Sequence, residues 1–478
     1  MENFDLIVVG SGPAGEKAAV KAAYFGYKVA LIEKYEKFGG AGVQTGTLPS
    51  KTLKETALYL SGIYQKGVFG VDKALGRETG VHDFLYRKDV VTEQMHKIVR
   101  YNLEKHKVKV FTGTAELLNT IQVKINGDLE QTIEGKKILI ATGSYPYHPP
   151  QIPFDNYRIH DSDTILKIKR FPKSICIVGA GVIGCEYATI FAAMGVKTFI
   201  VNDRDKILGF LDEAVSDALV EQMKKNNVNI LFNNSVQDIQ CPEDDEHLIA
   251  ISLKTGETLK VDMFLFAAGR SGQLKGLNCE GVGLEIGKRE TLIVNDKFQT
   301  NISNIYAVGD VIGFPALAST SMEQGRIAVT HMFDTEDMDS LADTFPHGIY
   351  TIPEVSMVGI TEKQAKDAEL SYGVGVSYYR DTARGMIMGD QDNGFLKLIF
   401  DRKTKVIKGV HIIGYQATEL IHYGMQLVRE EKTLDSLIAT VFNYPTLHDL
   451  YKYASYDGLG SLSGKKVKKA GEFNISTR

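Results

Sequence analysis

One pattern occurs twice in this chain and leaves few folds open to it. Leu6-Ile7-Val8-Val9-Gly10-Ser11-Gly12-Pro13-Ala14-Gly15 and Ile175-Cys176-Ile177-Val178-Gly179-Ala180-Gly181-Val182-Ile183-Gly184 are each an apolar run entering G-x-G-x-x-G. A helical stretch follows each, then a second apolar run, residues 28–32 ending at Glu33 and residues 197–201 ending at Asn202. Uninterrupted apolar runs suit strands buried on both faces, which is the environment of a parallel sheet. Strands alternating with helices predict α/β architecture with two doubly wound units.

In such a loop the first glycine permits the tight turn, the second lets the backbone approach a pyrophosphate, and the third lets helix and strand pack closely. The helix N-terminus adds unpaired N–H groups and a partial positive charge. Gly10, Gly12 and Gly15, with Glu33 placed to accept from ribose hydroxyls, form one candidate dinucleotide site. Gly179, Gly181 and Gly184 form a second, in which Asn202 stands where the acid would be. A neutral side chain does not repel a 2′-phosphate, and Arg204 offers a charge to pair with one, so this site admits NADP(H) without excluding NAD(H). The alternative is an exposed turn that merely carries an arginine. Two such units point to two nucleotides, and a flavin exchanging electrons with a nicotinamide is the economical pairing.

At 478 residues the chain exceeds one ordinary core, and about 100–200 residues per domain suggests about three domains. A net charge of −4 gives no basis for a nucleic-acid surface. The one dense basic run, Lys465-Lys466-Val467-Lys468-Lys469, reads as a solvated tail. The four cysteines form neither Cys-x-x-Cys nor a zinc-type spacing, so neither a metal site nor paired-thiol redox chemistry is expected. Met1 leads within a few residues into the first strand, and no apolar run is long enough to cross a bilayer. The expectation is a cytoplasmic protein without membrane or nucleic-acid partners.

In order along the chain come the first glycine loop, Gly39-Gly40 through Pro49-Ser50-Lys51, Ala141-Thr142-Gly143, the second glycine loop with Glu186, Ala268-Gly269-Arg270, and Tyr306-Ala307-Val308-Gly309-Asp310. With these six markers the chain resembles the pyridine nucleotide–disulfide oxidoreductase family over roughly residues 4–460. The resemblance implies an FAD-binding domain of residues 1–150 and 275–345, an NAD(P)-binding domain of 151–274, an α+β C-terminal dimerisation domain of 346–462, and the basic tail at 463–478. It implies a homodimer. It puts Asp310 on the ribityl chain of FAD and Ala318 beside its ring system. Gly39, Gly40, Thr142, Gly143 and Gly269 become further cofactor-binding positions, and Lys51, paired with Glu186, lies next to the flavin. A buried lysine there needs a carboxylate to remain charged, and its charge would stabilise an anionic flavin. A purely structural ion pair is the alternative.

The departures from the family carry the functional reading. Its disulfide reductases have cysteines where this chain has Gly42 and Thr47, and a histidine of the proton relay where it has Tyr444. A phenol with a pKa of about 10 is a poor base near neutrality. His448 is read as an ordinary residue at a helix start. Gly46-Thr47-Leu48-Pro49-Ser50-Lys51, Gly348-Ile349-Tyr350-Thr351-Ile352-Pro353-Glu354 and Phe442-Asn443-Tyr444-Pro445-Thr446 resemble the FAD-containing transhydrogenases within that family, although these often keep a cysteine at the position of Gly42. The resemblance implies hydride exchange between NADPH and NAD by a ping-pong route through FAD. An NAD(P)H oxidase or diaphorase using quinone, metal complex or dioxygen is the second reading, and a non-catalytic nucleotide sensor the third.

Overall fold

A computed structural model describes residues 1–63, 80–128, 130–244, 246–337, 340–389 and 394–463. The basic run at 465–469 lies outside them. The chain divides into two compact units, one of Met1–Leu53, Val81–Arg170 and Ala268–Leu341, the other of Lys54–Gly80, Phe171–Ala267 and Ala342–Arg478.

In the first unit four strands run parallel in the order Lys109–Thr112, Val29–Glu33, Glu2–Val9, Gln131–Ile140. The last is long enough to serve two neighbours on its far side. Its first half pairs antiparallel with Gln122–Asn126, and its last residues pair parallel with Ile305–Ala307. Side chains alternate across a strand, so one apolar run feeds two cores. Leu6, Val8, Leu31 and Leu139 pack with Ala14, Ala18, Ile327 and Ala328 of the helices Pro13–Tyr24 and Ala318–Phe333. Ile7, Val9, Ile32, Ile138 and Ile140 face the other way, towards Leu277, Leu284 and Leu292. The two helices meet almost backbone to backbone, because a Cβ on Gly325 would stand 2.3 Å from the Ala14 carbonyl oxygen.

The second unit repeats the first arrangement with parallel neighbours in the order Val228–Leu231, Lys197–Val201, Ser174–Val178, Met263–Phe266. It also holds an antiparallel sheet ordered His347–Ile349, Glu354–Gly359, Ile407–Gly414, Phe395–Asp401, Tyr372–Tyr378. Helices Ala417–Arg429 and Asp449–Ser463 close a core around Leu398, Phe400, Val410 and Tyr451. The buried Tyr451 hydroxyl donates to the Leu420 carbonyl at 2.6 Å and accepts from the Gly424 N–H at 3.0 Å, which satisfies it inside the core. The fold is the α/β class the sequence predicts, with an α+β portion at the C-terminal end.

A buried charge cluster stitches the two parts of this unit. Lys397 is 4% exposed, and its Nζ lies 2.7 Å from Asp212 Oδ1 and 2.6 Å from Glu362 Oε2. Asp212 is the N-cap of helix Glu213–Lys225 and accepts from the Glu362 N–H at 3.0 Å. Removing the lysine would strand a carboxylate in the interior, which typically costs about 3–5 kcal/mol. We expect Lys397→Ala to destabilise this unit by about that amount, read as a lowered urea midpoint at unchanged slope. A shift below about 1 kcal/mol would show that water reaches the cluster and screens it.

Candidate functional site

The first glycine loop is built so that two of its glycines are required by the protein and one is not. Gly10 has φ +105°, and a Cβ there would stand 2.4 Å from the Ala141 carbonyl oxygen. A Cβ at Gly15 would stand 1.9 Å from the Gly10 carbonyl oxygen, so the helix can begin this close to the strand only without a side chain. Gly12 is extended, and its nearest neighbour for a Cβ is Gly40 Cα at 3.9 Å. Gly40 has φ +53° and a Cβ on it would meet Gly12 Cα at 2.7 Å, while Gly39 has φ +101°. Helix Pro13–Tyr24 starts at N-cap Gly12 with no side-chain cap, leaving its first N–H groups directed outward. Glu33, 6% exposed, accepts from Ser11 N–H at 2.9 Å and Ser11 Oγ at 2.7 Å through Oε2, and from Tyr35 N–H at 3.1 Å through Oε1.

The far end of this site lies where strand Gln131–Ile140 delivers Ala141-Thr142-Gly143. Gly143 has φ +73° with nothing within 4 Å of a Cβ, and Thr142 Oγ1 is buried with no hydrogen-bond partner among the described residues. Asp310, in the turn Gly309–Ile312, accepts from Ser144 Oγ at 2.9 Å through Oδ2. Arg270 donates to Ser144 Oγ and to the Ser144 carbonyl, both at 2.9 Å, and to Asp163 at 3.1 Å. Gly269 precedes it at φ +137°. Ser144 and Arg270 are the residues sequence reasoning passed over as ligand-shaping groups, since nothing in a linear motif signals their pairing with Asp310. Ala318 opens helix Ala318–Phe333, whose N-cap Leu317 also supplies no side-chain cap. Unengaged helix N–H groups, an orphan hydroxyl and cleared space at Gly12 and Gly143 fit a long polar group carrying a pyrophosphate, as FAD does. Lys51 lies in helix Thr47–Ser61, where its Nζ donates to Ser50 Oγ at 3.4 Å.

The second loop, in the other unit, reproduces the first. Gly179 has φ +102°, Gly181 is an extended N-cap with nothing within 4 Å of a Cβ, and a Cβ on Gly184 would stand 1.9 Å from the Gly179 carbonyl oxygen. Helix Val182–Ala193 lacks a side-chain cap as well. Glu186 on this helix is buried and accepts from the Tyr350 N–H at 3.0 Å. Asn202 is 6% exposed, accepting from Ala180 N–H at 3.3 Å and donating to the carbonyls of Arg204 at 3.1 Å and Lys206 at 3.0 Å. Arg204 itself is exposed.

No thiol couple accompanies these loops. All four cysteines are thiols, not disulfides. Burial pushes Cys176 up to about 12 and Cys279 up to about 11. Burial raises Cys185 further still, with the adjacent Glu186 charge adding to it. At Gly42 a Cβ would stand 2.8 Å from Pro13 Cγ, so the packing there is that of glycine. Tyr444 is exposed. His448 sits among Phe442, Tyr423 and Tyr451 just before the last helix, and burial lowers its pKa.

Comparison with known proteins gives a consistent set of likenesses. The family profile described as pyridine nucleotide-disulphide oxidoreductase matches residues 4–325, and that of the same family's dimerisation domain matches 345–455. The soluble pyridine nucleotide transhydrogenase of Yersinia pestis (strain Pestoides F) is 40% identical over 466 residues, covering 96% of this chain and 99% of the relative. Among solved structures, the HOCl-induced flavoprotein disulfide reductase RclA from Escherichia coli superposes with TM-score 0.84 at 27% identity, covering 94% of this chain and 99% of that one. LpdA from Mycobacterium tuberculosis gives TM-score 0.86 at 24% identity over 95% and 99%.

The unequal demands on the glycines give a test. We expect Gly12→Ala, compared with the parent after both are stripped of cofactor, to keep the parental melting midpoint, yet to retain no dinucleotide through gel filtration when reloaded. Gly15→Ala should cost about 1–3 kcal/mol of stability through overpacking. Equal melting midpoints for the two variants would contradict the geometry.

Proposed function

The chain belongs to the pyridine nucleotide–disulphide oxidoreductase family, and from that premise we propose that it is a soluble, FAD-dependent transhydrogenase exchanging hydride between NADPH and NAD. The observation that carries this reading is the combination of two intact dinucleotide loops with the absence of any thiol pair at Gly42 and Thr47. The near full-length identity to a transhydrogenase supports it. FAD, when bound, would supply the two-electron hydride chemistry that links one nicotinamide to another.

In this reading residues 1–150 and 275–345 are the FAD domain, 151–274 the NAD(P) domain and 346–462 the dimerisation domain of a cytoplasmic homodimer. The helix N-termini at Gly12 and Gly181 hold the two pyrophosphates. Glu33, already fixed by Ser11 and Tyr35, would orient the adenosine ribose, and Asp310, fixed by Ser144, which Arg270 in turn holds, would orient the ribityl chain. Thr142 gains its missing hydrogen bond from the cofactor. By the family resemblance Lys51 would supply positive charge beside the flavin ring, and Glu186 would be the carboxylate that keeps it charged. Val182, at the start of the second helix, is smaller than the tyrosine that disulfide reductases often carry there, which leaves room for one nucleotide to depart and another to enter.

The test is kinetic. When NADPH and an NAD analogue of shifted absorbance are varied together without oxygen, we expect parallel double-reciprocal lines. Anaerobic titration should take up about two electrons per flavin, because no thiol pair adds to the capacity of the cofactor. Enzyme loaded with NADPH electrons that fails to pass them to the analogue, yet passes them quickly to quinone or dioxygen, would replace this reading with a diaphorase or oxidase. We also expect Lys51→Met to slow hydride transfer by roughly 100-fold with FAD retained, as for loss of one electrostatic stabiliser. Glu186→Gln should act in the same direction, and the double variant should fall short of additivity, measured by stopped-flow flavin absorbance.

A further inference from the structure

Glu33 and Asn202 occupy equivalent positions in the two dinucleotide units, and their first hydrogen bond is the same. Each accepts the backbone N–H of the residue between the first two loop glycines, Ser11 for Glu33 and Ala180 for Asn202. Their second partners are opposite in polarity. Glu33 takes a second N–H, from Tyr35 two residues on. The Asn202 amide instead donates, to the carbonyls of Arg204 and Lys206. Two residues beyond the anchor, then, the first loop offers an N–H, that of Tyr35, and the second a carbonyl, that of Arg204.

We propose that Asn202 is a positioning residue for recognition of the 2′-phosphate: its carboxamide holds the loop 203–206 so that Arg204 and the neighbouring backbone face the nucleotide. This rests on the transhydrogenase reading, in which NADP(H) and NAD(H) share the second site. A carbonyl and the N–H that follows it in a trans peptide point in opposite directions. With the Arg204 carbonyl drawn onto the buried Asn202 amide, the N–H of Asp205 is directed away from it, and that N–H makes no backbone bond among the described residues. Residues 203–206 are all exposed while Asn202 is 6% exposed, so a buried anchor carries an exposed recognition loop. The loop is held on its other flank as well, by Asn233 N–H on the Arg204 carbonyl at 3.2 Å and Leu208 N–H on the Ala180 carbonyl at 3.1 Å. Lys206 is tied to Glu213, while Arg204 is exposed and its side chain makes no ion pair among the described residues. A carboxylate at position 202 would keep the Ala180 bond but set an anion against two carbonyl oxygens. The loop would open, so the acid is excluded by its local fold as well as by repulsion of a 2′-phosphate.

The experiment measures binding of 2′,5′-ADP and 5′-AMP to the holoenzyme by calorimetry, for the parent, Asn202→Ala, Arg204→Ala and the double variant. We expect Arg204→Ala to reduce the preference for 2′,5′-ADP roughly tenfold, the scale of one charge-assisted contact. Asn202→Ala should reduce it comparably, and the double variant should be no worse than either single change, because one acts through the other. Circular dichroism melts and flavin content establish that each variant is folded. Should Asn202→Ala not fold, Asn202→Ser, uncharged and without the amide that donates to the Arg204 and Lys206 carbonyls, must show the same loss of preference. If either Asn202 variant keeps the parental preference while Arg204→Ala loses it, the proposal is overturned and the reading of the site stands. If Arg204→Ala also keeps it, both are overturned.

Discussion

Two carbonyl oxygens, those of Gly10 and Gly179, lie where the side chains of Gly15 and Gly184 would have to begin. Everything functional in this protein is arranged around those two contacts. A strand that ends against the first turn of the next helix, with no Cβ between them, must deliver the helix N-terminus to the C-terminal edge of the sheet. The uncapped N–H groups of that helix then face whatever is bound there, and the partial positive charge of the helix favours a phosphate. Glu33 ends its strand, and Ala141 and Asn202 follow the ends of theirs, at the same two edges. Binding groups scattered along the chain are thereby gathered by parallel register.

How much of this is legible in the sequence follows from how local each interaction is. The glycine loops are written within ten residues, and both the φ values and the steric reasons for each glycine appear as the pattern requires. The doubly wound units follow from the apolar runs, because a strand buried on both faces has no polar positions to spare. Interactions between distant segments leave no such trace. The Arg270–Ser144–Asp310 network joins three stretches that only the fold brings together, and the motif that names Arg270 gives no sign that its guanidinium reaches back to Ser144. Lys397 is a surface residue by composition, yet it is buried between Asp212 and Glu362. Asn202 was legible as a missing acid, but its two donated hydrogen bonds depend on peptide orientation, which residue type alone does not encode.

The cysteines show why a redox couple is absent in physical terms. A thiol that exchanges with disulfides must ionise near ambient pH and be reached by a partner. Cys176, Cys185 and Cys279 are each buried where their pKa is raised, so they behave as small apolar side chains. At Gly42 the contact with Pro13 belongs to the nucleotide loop itself, so space that a thiol would need has been taken into the packing of the cofactor site. Electrons that enter such a centre have no internal store beyond the cofactor, and an external acceptor must come to the nucleotide site.

A site that serves both nicotinamide nucleotides in turn carries a constraint that a one-nucleotide site does not. If the 2′-phosphate were bound very tightly, NADP would remain after giving up its hydride and NAD could not enter. If it were repelled, NADPH would not compete for the site at all. On the proposed reading the loop after Val201 meets this condition by position and by charge. Arg204 is exposed, so water and salt screen its attraction for an anion. Asp203 and Asp205 flank it with opposite charge. A buried bidentate arginine would bind harder and release more slowly. Fixing the backbone through Asn202 while leaving the charge in solvent separates the two demands: the loop is pre-organised, so little entropy is lost when either nucleotide binds, and the attraction that discriminates between them stays small enough for both to leave.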